Sequence, residues 1–170
     1  MPGFLNLKKP GSKMVDGAAM SESASTNGLD GRALMLYDGL CGLCHRSVQW
    51  VIRHDDADRF RFAPQQSALA AQFLARCGVD RESMLKSNSV YMVLNAGTAQ
   101  ERLLAQSDVA VNVLLLLGGR WRFLGKLLRA IPSFARNAAY RLFARNRYRV
   151  TRQYEVCPLP QEAERMKFLA

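Results

Sequence analysis

The chain has 170 residues and a net charge of +10, with 49% hydrophobic and 9% aromatic residues, which fits one globular domain with extensions. Its four cysteines are too few for the disulfide-rich scaffold of a small secreted protein. No signal peptide is legible and no apolar stretch approaches the roughly 20 residues of a membrane span, so we expect a cytoplasmic protein without a transmembrane segment.

Residues 1–31 combine Gly, Ser, Lys and Asn without apolar periodicity, so they are predicted to form a flexible tail before folding begins near Arg32. Short β-rich runs and amphipathic stretches then alternate along the chain. In chain order the predicted elements are a strand at 33–37, a helix at 41–54, a strand at 60–62 that stops at Pro64, a helix at 67–77, strands at 90–94 and 101–104, and a helix at 109–117 capped by Ser107 and Asp108. This order predicts an α/β fold in which a four-stranded mixed sheet lies between flanking helices.

Cys41 and Cys44 stand at the start of the first predicted helix, directly after the first strand and an Asp38-Gly39 turn. A helix N-terminus has unpaired N–H groups and partial positive charge, which favour a thiolate. A cysteine there can have its pKa lowered from roughly 8.5 into the range of about 3.5–7.5, and the thiolate is the nucleophile. Two intervening residues bring the second sulfur round one helical turn. The pattern therefore predicts thiol–disulfide chemistry at the end of the first strand.

The positive charge is concentrated in one C-terminal segment. Between Val109 and Tyr154 there are ten basic residues and no Asp or Glu. Two further helices are predicted there, at 121–131 and 133–147, parted by Pro132. Their apolar stripe is expected to dock them on the domain while the charges stay solvated, and it consists of Trp121, Leu124, Leu127, Leu128 and Ile131. The alternative is that residues 120–152 form a surface for an anionic partner, such as nucleic acid or a membrane surface.

Residues 37–44, Tyr-Asp-Gly-Leu-Cys-Gly-Leu-Cys, resemble the Asp-Gly-x-Cys-x-x-Cys signature of the DCC thiol–disulfide oxidoreductase family. The likeness covers about residues 33–160, with further matching segments at 60–67, 107–108, 140–149 and 157–160. With the element order, the resemblance implies a thioredoxin-like three-layer domain at 32–119, a basic helical extension at 120–160 packed on it, and a C-terminal tail at 161–170. It also implies a protein-disulfide oxidoreductase that needs no bound cofactor or metal.

The resemblance gives the two sulfurs different roles. Cys41 attacks a substrate disulfide and Cys44 resolves the mixed disulfide, since Cys41 is expected to be exposed and Cys44 shielded one turn further in. Asp38 is either a cap that accepts N–H bonds at the helix start or a proton acceptor for Cys44. Ordinary thioredoxins place a cis-proline before the third strand, where this chain reads Ser-Asn-Ser-Val at 87–90. The candidate substrate-binding residues are Gly39, Leu40, Pro64 and Ser89.

The expected partners are a disulfide-bearing protein or a small thiol, together with a recycling reductant such as glutathione or a thioredoxin system. Other interpretations of the same residues stay open. Cys41, Cys44 and His45 also fit the attachment pattern of c-type haem, and the two cysteines have the spacing of half a zinc site. Cys77 is expected to pack as a small hydrophobe, and Cys157 is either a buried structural cysteine or a third redox thiol. The alternative function is a non-catalytic redox sensor or a basic surface-binding module on the same fold.

Overall fold

The computed structural model describes residues 28–80, 89–150 and 162–169. Within these ranges the strands are β1 (Ala33–Tyr37), β2 (Phe60–Pro64), β3 (Tyr91–Leu94) and β4 (Arg102–Ala105). The helices are α1 (Gly42–His54), α2 (Ala68–Arg76), α3 (Ser107–Leu117), α4 (Gly119–Ala130) and α5 (Ser133–Val150), followed by a 3₁₀-helix at Glu162–Lys167. Three predictions fall on residues outside the described ranges, namely those on Cys157, on residues 87–88 and on the segment 157–160.

The four strands form one mixed sheet in the order β2-β1-β3-β4. β1 pairs in parallel with β2, from Ala33 opposite Phe60 to Tyr37 opposite Pro64. β3 runs antiparallel to both β1 and β4. Because parallel neighbours need a crossover connection, α1 begins where β1 ends and packs back on the sheet. The predicted α/β class, four-stranded mixed sheet and element order are confirmed, and the arrangement is consistent with a thioredoxin-like fold.

Both faces of the sheet are covered by apolar side chains. On one face, Leu34 of β1 belongs to a buried cluster with Phe73 of α2. On the other face, Met35 belongs to a second cluster with Val48 of α1 and Val109 of α3. Because successive strand residues point to opposite faces, a strand that is buried on both faces must be apolar throughout. This explains the unbroken apolar run of β1. The strand ends at Tyr37, directly before the turn that leads into α1.

The described ends of the chain belong to the folded domain, which corrects two sequence predictions. Leu29 is fully buried in the cluster beside α2, so folded structure begins a few residues earlier than Arg32. The rest of the predicted tail, residues 1–27, lies outside the described residues. A C-terminal tail was predicted at 161–170, but Phe168 bridges in parallel to Phe62 of β2. The Leu169 N–H also donates to the Phe62 carbonyl at 2.8 Å. β2 lies at the edge of the sheet, so its outer backbone groups are available to pair with residues 168–169. The composition of residues 161–170 gives no sign of this pairing.

Lys167 ties the 3₁₀-helix to the loop after α1 through two carboxylates. Its Nζ lies 3.0 Å from Asp55 Oδ2 and 3.1 Å from Asp58 Oδ1. The Arg61 guanidinium donates to both Asp58 oxygens, at 2.8 and 2.9 Å. The hydrogen bond from Arg61 lowers the pKa of Asp58 well below its usual range, and Lys167 lowers it further against the opposing effect of burial. Burial alone would lower the pKa of Lys167, but its bonds to Asp55 and Asp58 outweigh this and raise the pKa.

The start of α3 differs from the predicted cap. The N-cap residue is Gln106, and its side chain makes no capping hydrogen bond. Ser107 instead donates its hydroxyl to Asn137 Oδ1 of α5. The Asp108 carboxylate pairs with Arg136 of α5 at 3.0 Å. The side chains of Ser107 and Asp108 thus bond to α5 rather than to the backbone of α3, and they join the two helices. The predicted capping role is wrong.

The side of α4 that packs on the domain is narrower than the predicted apolar stripe. Gly125 is buried, and a Cβ there would lie 3.0 Å from the Leu115 amide nitrogen, so glycine permits a close approach between α4 and α3. Trp121 packs edge-on against Trp50 of α1, with ring centroids 4.7 Å apart. Three members of the stripe are exposed, namely Leu124, Leu127 and Ile131. The prediction that the whole stripe docks the helices is therefore wrong.

Candidate functional site

Cys41 is the N-cap residue of α1, immediately after the turn that ends β1. Its backbone is extended, with φ −93° and ψ 111°, and its sulfur accepts a hydrogen bond from the Cys44 N–H at 3.4 Å. The Cys41 carbonyl accepts the His45 N–H at 3.1 Å and so begins the helical hydrogen-bond pattern. A backbone donor and the positive end of the helix dipole thus meet at one sulfur, and both favour a thiolate there.

The exposure of the two sulfurs is the reverse of the prediction. Cys41 is 0% exposed, whereas Cys44 is only partly buried. The Cys41 side chain turns back over the first helical turn to reach the Cys44 amide, as an N-cap side chain does. Cys44 lies on the face of α1 that borders a cavity. The expectation that Cys41 is the more exposed of the two is therefore wrong, although its position at the helix N-terminus is as predicted.

The turn from Asp38 to Leu40 is held by side chains on both sides. Asp38 Oδ1 accepts the Leu40 N–H at 3.1 Å and the Gln66 Nε2–H at 3.2 Å, so it caps this turn, while Cys41 caps the helix. Gln66 Oε1 in turn accepts the Gly39 N–H at 3.3 Å. His45 Nε2 lies 2.9 Å from the Gly39 carbonyl, which can only accept, so this nitrogen carries the hydrogen. Asp38, Gly39 and Leu40 thus form one braced loop directly before the first sulfur.

An apolar cavity of about 660 Å³ lies beside Cys44, between α1, α3, α5 and the sheet. This volume is within the range of small-molecule and cofactor sites. Aromatic and aliphatic side chains make up most of the wall, among them Tyr37, Trp50, Val113, Tyr140 and Phe143. Arg46 and Ser47 of α1 are among its few polar lining residues. The only cysteine among the described lining residues is Cys44, so the cavity adjoins the candidate redox pair.

The sequence comparison decides the family. A model described as DCC1-like thiol-disulfide oxidoreductase matches residues 35–153, a span that includes the cysteine pair, the strands around it and the helices that border the cavity. The chain belongs to this family. The resemblance seen in the cysteine motif is thereby confirmed, and membership of the DCC1-like family supports a redox role for the pair.

Two relatives share most of the length of this DCC1-like chain. "Uncharacterized protein YuxK" of Bacillus subtilis (strain 168) is 28% identical over 136 residues, which cover 80% of this chain and 93% of that protein. "DCC family protein At1g52590, chloroplastic" of Arabidopsis thaliana is 29% identical over 140 residues, which cover 82% of this chain and 77% of that protein. No solved structure matches the chain.

Gln65 links the ends of β1 and β2 to the segment before β3. Its buried side-chain amide donates to the Leu36 carbonyl at 3.1 Å and to the Ser89 carbonyl at 2.7 Å. Its backbone N–H donates to the Tyr37 carbonyl at 2.8 Å. Pro64 and Ser89, two of the candidate substrate-binding residues, are therefore brought to the same end of the sheet. Among the described residues no peptide bond is cis.

Tyr140 of α5 bonds to the backbone just before β3. Its hydroxyl oxygen accepts the Val90 N–H at 3.0 Å. Val90 and Tyr140 both line the cavity that Cys44 borders. In this DCC1-like protein helix α5, far along the chain from the cysteine pair, is therefore part of the wall of the candidate site.

Three residues of the site were not singled out from the sequence: Gln65, Gln66 and Tyr140. They lie in the segments 60–67 and 140–149 that carry the family resemblance, and that was their only signal. Their roles depend on contacts across the sheet, which a local pattern does not reveal.

Cys77 lies apart from the pair, at the C-cap of α2 on the opposite face of the sheet from α1. Burial raises the pKa of its thiol, and the charge of Glu101 raises it further. In the described part of the chain, no group of three or more His, Cys, Asp or Glu side chains is placed to hold a metal ion.

Proposed function

We propose that the protein is a thiol–disulfide oxidoreductase that exchanges disulfides through Cys41 and Cys44. The observation that carries the proposal is the contact of the Cys44 N–H with the Cys41 sulfur at a helix N-cap, in a chain of the DCC1-like family. A helix N-terminus stabilises a thiolate, and a second cysteine one turn away is in place to resolve a mixed disulfide. The chemistry needs no bound cofactor.

In the proposed reaction the Cys41 thiolate attacks one sulfur of a substrate disulfide. The substrate S–S bond breaks, its electron pair leaves with the second substrate sulfur, and that thiolate takes up a proton. Cys44 then loses its proton, to Asp38 or to solvent, and attacks the Cys41 sulfur. This expels the first substrate sulfur as a thiolate, which also takes up a proton. The products are a Cys41–Cys44 disulfide and a substrate dithiol, so two electrons pass from protein to substrate. For Asp38 the two predicted roles are kept as alternatives, a cap or an acceptor for the Cys44 proton.

The burial of Cys41 gives this scheme a structural requirement. The sulfur is 0% exposed, so a neighbouring part of the chain must move before it can attack a substrate. We propose that the turn at Asp38–Leu40, directly before Cys41, is the part that moves. The turn is held to its surroundings by side-chain hydrogen bonds from Gln66 and His45. Such bonds contribute on the order of 1 kcal/mol each, so opening the turn is within reach of thermal motion.

We propose that the cavity beside Cys44 receives an apolar part of the substrate, while Gly39, Leu40, Pro64 and Ser89 contact the groups next to its disulfide. The lining of the cavity supports an apolar occupant. The Val90 N–H is engaged by Tyr140, so we do not assign it to the substrate backbone. A thiol such as glutathione, or a thioredoxin system, is proposed to reduce the pair again, in the cytoplasm.

The test is turnover of a small disulfide, bis(2-hydroxyethyl) disulfide, with glutathione as the recycling thiol. Cys41→Ser is expected to abolish catalysis, and Cys44→Ser is expected to stop at a mixed disulfide on Cys41 that intact-protein mass spectrometry detects. Cys77→Ser is the matched control and is expected to turn over like the wild type, because Cys77 lies on the other face of the sheet. An adduct trapped on Cys44 in Cys41→Ser, with none in Cys44→Ser, would reverse the proposed roles.

The same assay separates the enzyme from its alternative. A non-catalytic redox sensor would form the Cys41–Cys44 disulfide once without multiple turnovers. A surface-binding module would keep its partner in Cys41→Ser. Either result, with wild-type turnover no faster than glutathione alone, would refute the enzymatic proposal.

A further inference from the structure

The helices α4 and α5 expose large apolar side chains to an unusual degree. Phe123, Leu127 and Ile131 follow each other at intervals of four residues, which places them along one side of α4 and its C-cap, and they are 72%, 57% and 42% exposed. Phe134 and Leu142 of α5 are 74% and 65% exposed, and their spacing of eight residues puts them about 80° apart around the helix. Among the described residues, the single large exposed hydrophobic side chain outside 123–143 is that of Met166.

This exposed apolar surface is not the side by which α4 packs on the domain. The packed side carries Trp121 against Trp50 and the close contact of Gly125 with α3. Phe123 and Leu127 lie roughly a third of a turn or more away from that contact, as their spacing along the helix requires. The helix therefore has two apolar sides, of which one is used inside the domain.

Six exposed cations lie on the same two helices as these apolar side chains. In the described part of the chain none of them has an ion-pair partner, and they are Arg120, Arg122, Lys126, Arg129, Arg141 and Arg145. Neither helix contains an Asp or Glu. Cations mixed with exposed Phe and Leu on helices of low mean hydropathy are typical of segments that lie in a membrane interface. None of the described helices combines the length and the apolar character that crossing a bilayer requires.

We propose that α4 and α5 dock this protein on the surface of an anionic lipid membrane. Phe123, Leu127, Phe134 and Leu142 would enter the boundary between headgroups and acyl chains, while the arginines and Lys126 contact lipid phosphates. Charge decides against a second copy of the chain as occupant, because two such faces would bring their cations together without a carboxylate between them. The aliphatic side chains decide against nucleic acid, which offers them little apolar surface to bury.

One of the two docking helices, α5, also borders the candidate redox site. Phe143 is 55% exposed and also lines the cavity that Cys44 borders. Docking would therefore bring one side of that cavity close to the lipid. The proposal concerns binding only, and it stands or falls independently of the proposed catalysis.

The test is flotation of the full-length protein with vesicles of phosphatidylcholine alone or with equal parts of phosphatidylglycerol. We expect binding to the anionic vesicles at low salt, little binding to the neutral ones, and release as salt rises. Arg122→Gln with Arg129→Gln is expected to weaken the partition coefficient by about 30-fold, from the typical contribution of a cation near an anionic surface. Phe123→Ser with Leu127→Ser is expected to weaken it at least tenfold, because insertion loses two apolar side chains.

Matched controls are Met166→Ser, an exposed apolar residue elsewhere, and Arg53→Gln, an exposed cation at the end of α1. Both are expected to bind like the wild type. All substituted residues are exposed, so thermal melting should be unchanged and binding losses should not reflect unfolding. Absence of binding to anionic vesicles would overturn the proposal. Binding that Phe123→Ser with Leu127→Ser leaves intact, or a stable dimer in solution that this variant dissociates, would overturn it as well.

Discussion

The Gln65 side chain links β1 to the segment before β3, because its amide donates a hydrogen bond to a carbonyl of each. Among the described residues no other side chain does this, and replacing Gln65 by leucine removes the link. Gln65→Leu keeps the approximate size of the side chain but loses two hydrogen bonds, to the Leu36 and Ser89 carbonyls. Each bond contributes about 0.5–1.5 kcal/mol, and a buried acceptor left unsatisfied costs about 1–3 kcal/mol. Since the site is buried and water cannot easily replace the amide, we expect a loss of about 2–3 kcal/mol in the free energy of unfolding.

Urea denaturation followed by circular dichroism measures this loss. With a denaturant slope of about 2 kcal/mol/M, typical of a small protein, the midpoint should fall by about 1–1.5 M. The matched control is Gln66→Leu, whose side chain is exposed and whose bonds to the turn at Asp38 and Gly39 water can replace. It is expected to change the free energy of unfolding by no more than about 0.5 kcal/mol. Equal midpoints for the two variants would refute the reasoning that the Gln65 amide holds the Ser89 segment in place.

Three further predictions concern residues outside the cysteine pair. The pKa of Asp58 is lowered in the folded state, so its contribution to stability is present above its ordinary pKa near 4 and is lost as the pH falls below that value. Asp58→Asn should therefore flatten the fall in unfolding free energy between about pH 5 and pH 2, whereas the exposed Asp56→Asn should not, and equal slopes would contradict the assignment. Burial raises the pKa of Cys77, so less of its thiol is ionised at pH 8. Iodoacetamide should therefore alkylate it more slowly than the thiol of an unstructured peptide when the reaction is followed by mass spectrometry, and an equal rate would contradict this. Gly125→Leu should lower the free energy of unfolding by about 1–3 kcal/mol, because the larger side chain forces α4 away from α3. Ala130→Leu, at an exposed position of the same helix, should change it little. Similar melting temperatures for the two variants would count against the close helix contact.

The order of elements could be predicted from the sequence because each carries a local signal. β1 is an unbroken apolar run, Gly and Asn mark the turns, and α2 is Ala- and Leu-rich. The failures come where distant residues decide the outcome. Ser107 has the chemistry of a helix cap, yet its hydroxyl bonds to Asn137 of α5. Phe168 follows a polar segment, yet it bridges to the edge of the sheet.

The candidate site was predictable in part for the same reason. The motif locates Cys41 and Cys44 at the start of α1, because strand, turn and helix signals lie next to each other in the chain. It does not reveal that Cys41 folds inward to the Cys44 amide while Cys44 borders a cavity. That cavity is closed by α5, about 100 residues further along the chain, and such long-range packing has no local signature.

The reduction potential of the Cys41–Cys44 pair tests the central claim most directly. The full-length protein, with Cys77→Ser to simplify the spectrum, is equilibrated in glutathione buffers of graded poise, and the alkylated species are counted by intact mass and by peptide mapping. We predict a reversible two-electron couple with an intramolecular Cys41–Cys44 disulfide, at a potential between roughly −120 and −270 mV, where working oxidoreductases lie. If no Cys41–Cys44 disulfide forms at any poise, the disulfide-exchange account is wrong.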